Sequence, residues 1–330
     1  MESTRTTAGK SMKPKVVITD SVSTDLSIEL AMLEGRATVI HGLGKTADEL
    51  KALLRDADAV LNCYTQLSEE MVDGMQRCKI IARSGIGVDT IPVGLATQKG
   101  IKVTNVADYC IDEVADHTLA LMLALRRGVD QGATQARQGL WDLKGLTPIH
   151  RNAGCKLGLI GFGNIAQAVA KRGQAFKFEI IVHDPFLSAD AARTHDVKQL
   201  GLDELLSQAD VLSLHVPLNE HTRHLIDEAA LRQMKPGAVV INTARGGLID
   251  TDALLKALGE GRIVGAALDV LEQEPPHDLQ AISRTPNLIL TPHAAFYSVE
   301  SMEELRTKSV AEIVRVLNGE EPRYWVNKKA

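Results

Sequence analysis

Three ionisable side chains fall late in the chain in the order Arg245, Glu274, His293. Arg245 closes INTARGG (241–247), Glu274 precedes a proline in DVLEQEP (269–275), and His293 sits in LTPHAAFYS (290–298). An arginine fork can hold a carboxylate or carbonyl oxygen through two parallel N–H bonds. A carboxylate that reaches a histidine stabilises the imidazolium. A histidine so supported can give a proton to a carbonyl oxygen and take it back in the reverse direction. Each residue also has a plainer reading. His293, beside two alanines and two aromatics, could be a packed core histidine; Arg245 could be a surface charge at a glycine-rich turn. Glu272 reads as a solvated neighbour, not a catalyst.

A second constellation lies upstream. GFGNIA (161–166) follows an apolar strand-like run and opens a helix-like one. Gly161 permits a tight turn, Gly163 lets the backbone approach a pyrophosphate, and Ala166 stands where a third glycine commonly allows close helix–strand packing. The start of a helix offers unpaired N–H groups and partial positive charge to phosphates. Asp184 ends the next strand-like run, where it can accept from both ribose hydroxyls and repel a 2′-phosphate. That pattern points to NAD in preference to NADP; the alternative for Asp184 is a turn residue before Pro185. Asp269, at another strand end, either caps a turn or meets the nicotinamide amide.

The elements that must position these groups alternate between strand and helix. KVVITD (15–20), AVLNC (59–63), KIIAR (79–83) and IKVTN (101–105) read as strands, with a helix over 46–57 between two of them. A second series holds six strand candidates: KLGLIG, EIIVHD, DVLSLHVP, GAVVINTA, GRIVGAALDV and NLILTPH. Alternation of this kind predicts parallel sheets covered by helices on both faces. Residues 111–131 carry apolar positions at helical spacing and are expected to form one domain-crossing helix. Residues 299–319 predict a long amphipathic helix ended by Gly319, able to close back onto the N-terminal half.

At 330 residues the chain exceeds one ordinary core and fits two domains. A net charge of −5 argues against a general nucleic-acid binder. Cys63, Cys78, Cys110 and Cys155 lack the short paired spacing of a zinc site and read as thiols in a reducing compartment. The start of the chain lacks the apolar core of a signal peptide, and 118–125 is too short to span a membrane. A cytoplasmic protein without metal, nucleic-acid or membrane partners is expected, with residues 1–13 a disordered tail.

The string LGLIGFGNIAQAVA…HDP…LHVPLNEHTRHLI…MKPGAVVINTARGGLID…GRIVGAALDVLEQEP…NLILTPHAAFYS resembles the D-isomer-specific 2-hydroxyacid dehydrogenases over about residues 79–318. The resemblance implies two doubly wound parallel-sheet domains: a Rossmann NAD-binding domain over 108–297 and a flavodoxin-like substrate domain from 14–107 and 298–330. It places the active site in the cleft between them. It implies that Arg245 orients the substrate, Glu274 tunes the base and His293 is the acid/base. It further implies cofactor contacts from Gly161, Phe162, Gly163, Asn164, Ile165, Asp184, Val216, Pro217, Thr222, Thr243, Ala244, Asp269 and His293. The substrate carboxylate is expected on the backbone N–H groups of SGIGVD (84–89), at Ile86 and Gly87.

Within the family, GLIGFG, LNEHTRHLI, GRIVGAALDV and PHAAFYSVESMEELR are similar to the C-terminal-binding-protein branch. There an arginine before the glycine-rich loop contacts substrate, the place of Arg83. Phe296 departs from the tryptophan of that branch's eukaryotic members, keeping an apolar wall but losing the indole N–H. Ile86 stands where a phosphite-oxidising branch has lysine, and Glu274 and Cys110 stand where a formate-oxidising branch has glutamine and asparagine. The expected activity is reversible hydride transfer between NADH and the C2 carbonyl of a small 2-keto acid. The rival is an NAD(H)-sensing corepressor-like scaffold, against which the full Arg–Glu–His set counts. The family expectation is a homodimer through 111–150, with Trp141 buried.

Overall fold

A computed structural model describes residues 13–146 and 148–328, which leaves the expected tail, except Lys13, outside the described residues. The chain divides into two compact units, one running to Tyr109 and resuming at Val299, the other spanning Cys110–Ser298.

The first unit is built on a five-stranded sheet in the order β2-β1-β3-β4-β5. Its strands are β1 (Lys15–Ile18), β2 (Thr38–His41), β3 (Ala59–Asn62), β4 (Ile80–Arg83) and β5 (Lys102–Thr104), all paired in parallel. Near-continuous apolar runs such as VVI and AVL suit strands covered on both faces. Val16, Ile18, Leu61 and Ile80 pack on one face against Val310, Ile313 and Val316 of the helix Val299–Leu317. Gly319, at φ +84°, follows that helix in the left-handed conformation glycine tolerates best. Arg306 on the same helix reaches inward to pair with the buried carboxylate of Glu29. Sequence reading omitted β2, an edge strand whose four residues are all partly or fully exposed and so lack a buried apolar pattern.

The second unit carries a seven-stranded parallel sheet in the order β12-β11-β10-β9-β6-β7-β8. Its strands are β6 (Lys156–Ile160), β7 (Glu179–His183), β8 (Lys198–Gln199), β9 (Val211–Leu214), β10 (Val239–Asn242), β11 (Gly265–Leu268) and β12 (Leu288–Leu290). Two apolar cores cover its faces, one around Leu205, Leu212 and Leu254, the other around Leu159, Val169 and Ile241. Both sheets are therefore the doubly wound kind expected. β6 lies between β7 and β9, so the winding reverses there, the position at which open sheets of this type bind ligands. The two-residue β8 was too short to read from sequence. The single helix expected over 111–131 is two helices, Ile111–Arg126 and Val129–Arg137, because Gly128 adopts a left-handed φ of +61° and breaks the ladder. Among the described residues no helix is long and apolar enough to cross a membrane.

Candidate active site

The carboxyl edge of the seven-stranded sheet collects most of the chemistry-bearing residues of the second unit. After β6 the chain turns at Gly161, whose φ is +88°. A Cβ there would lie 2.6 Å from the His215 carbonyl oxygen and 2.8 Å from Val216, so only glycine fits. Gly163 caps the helix Asn164–Ala175 without a side-chain bond, and a Cβ built on it meets nothing within 4 Å. Gly163 and Asn164 are exposed while Ala166 is fully buried, so the helix presents its free first-turn N–H groups outward. Asp184, just past β7, accepts from Phe162 N–H at 2.7 Å through one oxygen and from Phe186 N–H at 2.8 Å through the other. Its carboxylate is thus fixed beside the glycine turn before any ribose arrives. An open glycine, an uncapped helix start and an oriented carboxylate together fit a dinucleotide.

Neighbouring strand ends complete this edge. Val216 and Pro217 follow β9, and the Thr222 hydroxyl closes their loop by donating to the Pro217 carbonyl at 2.7 Å. Thr243 shares a 2.9 Å hydrogen bond with Thr118. Buried Asn242 shapes the next turn, donating to the Arg245 carbonyl at 2.9 Å and accepting from Ala244 N–H at 3.0 Å. The Arg245 guanidinium in turn donates to the Ala244 carbonyl at 2.7 Å.

Glu274 and His293 meet directly, with Nδ1 of the imidazole 2.7 Å from Oε2 of the carboxylate. The other oxygen, Oε1, accepts from Leu271 N–H at 2.9 Å. Burial alone would raise the Glu274 pKa. The hydrogen bond and charge of His293, the Leu271 N–H and the positive charge of Arg245 outweigh it and hold the acid below its ordinary range. The His293 side chain is 36% exposed, which removes the reading of a packed core histidine. Phe296 stands edge-on to the imidazole at 6.1 Å.

The backbone of His293 is itself unusual, at φ +52°, a conformation uncommon for any residue but glycine. Asp269 holds it there. Its carbonyl accepts from His293 N–H at 2.8 Å. Its buried carboxylate accepts from the Thr291 hydroxyl at 2.6 Å, Ala294 N–H at 2.8 Å and Ala295 N–H at 2.9 Å. Of the two readings open for Asp269, these bonds display the turn cap. Sequence reasoning did not see that an acid 24 positions before the histidine dictates its backbone, because nothing in one sequence pairs the two turns. Glu272 is exposed, as a solvated neighbour would be, yet it is also bonded: it accepts from Thr251 N–H at 3.0 Å and lies 2.7 Å from His224 Nε2. Burial pushes its pKa up, but those bonds to His224 and Thr251 bring it below the usual value.

In the first unit, Arg83 ends β4 and its guanidinium folds over Gly85, where a Cβ would fall 1.1 Å from Nη1. Nη1 donates to the Ser84 carbonyl at 2.7 Å, whereas the buried Nε has no hydrogen-bond partner among the described residues. The loop is clamped from β5, with Asn105 donating to the Ile86 carbonyl at 2.7 Å and Val106 N–H to that of Gly85 at 2.9 Å. Among the described residues the N–H groups of Ile86 and Gly87 donate to nothing. Two fixed, unpaired N–H groups beside an arginine form a concavity suited to an anion. The adjacent loop is held by Asp20, whose carboxylate accepts from the N–H groups of Cys63, Tyr64 and Thr65 at 2.9, 2.5 and 2.9 Å.

Comparison with known proteins adds to this geometry. The profile of the D-isomer specific 2-hydroxyacid dehydrogenase NAD-binding domain matches residues 119–295. The chain is 39% identical over 315 residues to a D-3-phosphoglycerate dehydrogenase of Methanocaldococcus jannaschii, covering 95% of itself but only 59% of that longer protein. It is 38% identical to a hydroxypyruvate reductase of Thermotoga maritima over 82% of this chain and 88% of the relative. A glyoxylate reductase crystal structure from Paecilomyes thermophila is 28% identical and superposes with a TM-score of 0.88, covering 96% of this chain and 98% of that one.

Proposed function

We propose, for a chain that belongs to the D-isomer-specific 2-hydroxyacid dehydrogenase family and is therefore an NAD-dependent oxidoreductase, that it reduces a small 2-keto acid with His293 as the acid. The observation that carries this reading is the His293–Glu274 pair at 2.7 Å, with Arg245 close enough to act on the same carboxylate. NADH, when bound, supplies the hydride to the C2 carbonyl. Glu274 occupies Nδ1, leaving Nε2 to give its proton to the carbonyl oxygen; in the reverse direction the same nitrogen takes it back. Glu274 then compensates the imidazolium without itself needing to move. Arg245 holds the carbonyl or carboxylate, and its positive charge favours the developing negative oxygen.

Gly161, Phe162, Gly163, Asn164 and Ile165 would receive the pyrophosphate and Asp184 the ribose, with Val216, Pro217, Thr222, Thr243, Ala244 and Asp269 lining the same edge. The N–H groups of Ile86 and Gly87, with Arg83, would take the substrate carboxylate, which assigns substrate recognition to the first unit and NAD to the second. Phe296 would border the substrate side chain. The strings LNEHTRHLI and PHAAFYSVESMEELR favour the C-terminal-binding-protein-like branch. The named relatives act on phosphoglycerate, hydroxypyruvate and glyoxylate, so the decisive experiment is NADH oxidation with glyoxylate, hydroxypyruvate, pyruvate, phenylpyruvate and 4-methylthio-2-oxobutyrate. Turnover of none of these would overturn the reading.

Exposed apolar side chains of the second unit support a homodimer. Trp141 and Leu143 are 92% and 83% exposed, and the same unit carries a groove of about 460 Å³ lined by Leu125, Ile149 and Val264. Large apolar side chains so exposed mark an association surface. Light scattering of the wild type and of Trp141→Asp should read two copies and one; a monomeric wild type would reject the assignment.

A further inference from the structure

The second unit holds another imidazole–carboxylate pair beyond the one at the proton-transfer position. His224 Nε2 lies 2.7 Å from Glu272 Oε2, and Glu272 Oε1 accepts from Thr251 N–H at 3.0 Å, at the start of the helix Thr251–Gly259. His224 is in the left-handed region at φ +50°, and its N–H donates to the Gly247 carbonyl at 2.8 Å. The imidazole is therefore carried by a residue bonded to the turn that follows Arg245. That turn lies hard against the loop of Glu274: a Cβ on Gly246 would sit 1.9 Å from the Leu271 carbonyl carbon and 2.4 Å from the Glu272 nitrogen. Leu271, in the same loop, is the residue whose N–H fixes Glu274 Oε1.

One carboxylate thus joins three segments: the His224 turn, the stretch from Arg245 to Thr251, and the loop 271–274. We propose that Glu272 and His224 are positioning residues that keep Arg245 and Glu274 in register with His293, themselves touching neither substrate nor cofactor. This rests on the reading of His293, Glu274 and Arg245 given above. Both side chains are partly exposed, at 30% and 36%. A pair so solvated contributes little to global stability. Its placement matters instead for geometry, since a shift of about 1 Å in a reacting group can cost about 100-fold in rate.

The test compares wild type, His293→Ala, Glu272→Ala, Glu272→Gln, His224→Leu and His224→Gln as full-length protein, with NADH and hydroxypyruvate or glyoxylate. Glu272→Ala and His224→Leu should lose about ten-fold or more in kcat, with KM, NADH affinity and melting temperature unchanged. Glu272→Gln keeps an acceptor for Thr251 and His224→Gln keeps a donor for Glu272, so both should recover most of the loss. An unchanged kcat in Glu272→Ala, or a loss that tracks melting temperature and is not recovered by the amide variants, would overturn the proposal. A His293→Ala protein that still turns over would instead reject the reading of the site. A crystal structure of Glu272→Ala gives a readout independent of turnover. The Glu274 carboxylate should leave Leu271 N–H and His293; unaltered geometry there would refute the positioning role.

Discussion

His293 Nδ1 lies 2.7 Å from Glu274 Oε2, and the opposite oxygen of that carboxylate is held by Leu271 N–H at 2.9 Å. The pair is thus oriented from outside the imidazole ring. Only Nε2 is left for chemistry, and the left-handed backbone imposed by Asp269 decides where it points.

If that orientation serves proton transfer, removing the imidazole should abolish NADH-dependent reduction while NADH still binds. Glu274→Gln keeps a hydrogen-bond acceptor for Nδ1 but not the charge that offsets the imidazolium. Its kcat should fall by about 10²-fold, the scale on which a general acid contributes. Stopped-flow kinetics with NADH fluorescence titrations check both; full activity in His293→Ala would discard the mechanism.

His215 supplies a prediction about pH. Burial pushes its pKa down from 6.5 to about 4, with the ring 2.9 Å from the Ser213 hydroxyl. Between those values the unfolded chain takes up a proton that the folded protein refuses. The folded state therefore loses stability as pH falls below 6.5, and the loss is complete below about 4. His215→Asn cannot lose stability this way, so its melting temperature should gain on wild type through that window and run parallel to it above neutrality. Parallel curves throughout would show that the ring is not buried as described.

Much of the second unit was legible because its signals are local. GFGNIA, the strand-end acid at Asp184 and apolar strands covered on both faces each announce themselves within a few residues. The adjacency of Glu274 and His293 needed the fold, since it joins loops after β11 and β12, yet chain order alone made it worth expecting. What escaped depends on tertiary contact. The break at Gly128 lies inside an apolar periodicity that a helix could have continued. The hold of Asp269 on His293 spans two strand ends, and the Glu272–His224 bond spans 48 positions. A short edge such as β2 or β8 carries no buried pattern to read.

The cysteines give a test that needs no substrate. Burial pushes the thiols of Cys63 and Cys78 up to about 12, so neither holds an appreciable thiolate fraction near neutrality. Under native conditions both should resist iodoacetamide and react once the chain is unfolded. Peptide mapping by mass spectrometry reads each cysteine separately, Cys63 and Cys110 being buried and Cys78 and Cys155 partly covered. Rapid native labelling of Cys63 would mean that the loop held by Asp20 opens readily.

If Asp184 selects the dinucleotide, its loss should change the preference between NADH and NADPH. Its two oxygens are already engaged by Phe162 and Phe186 N–H groups, yet a carboxylate has further lone pairs for ribose hydroxyls. A hydrogen bond to a charged group contributes about 1.5–3 kcal/mol, so Asp184→Ala should weaken NADH binding by about ten- to a hundred-fold. The same change removes the negative charge that repels a 2′-phosphate, so NADPH should bind no worse than before and the preference between the two should narrow. Paired fluorescence titrations measure the ratio. If NADH and NADPH weaken in equal proportion, Asp184 only supports the glycine turn and the selection lies elsewhere.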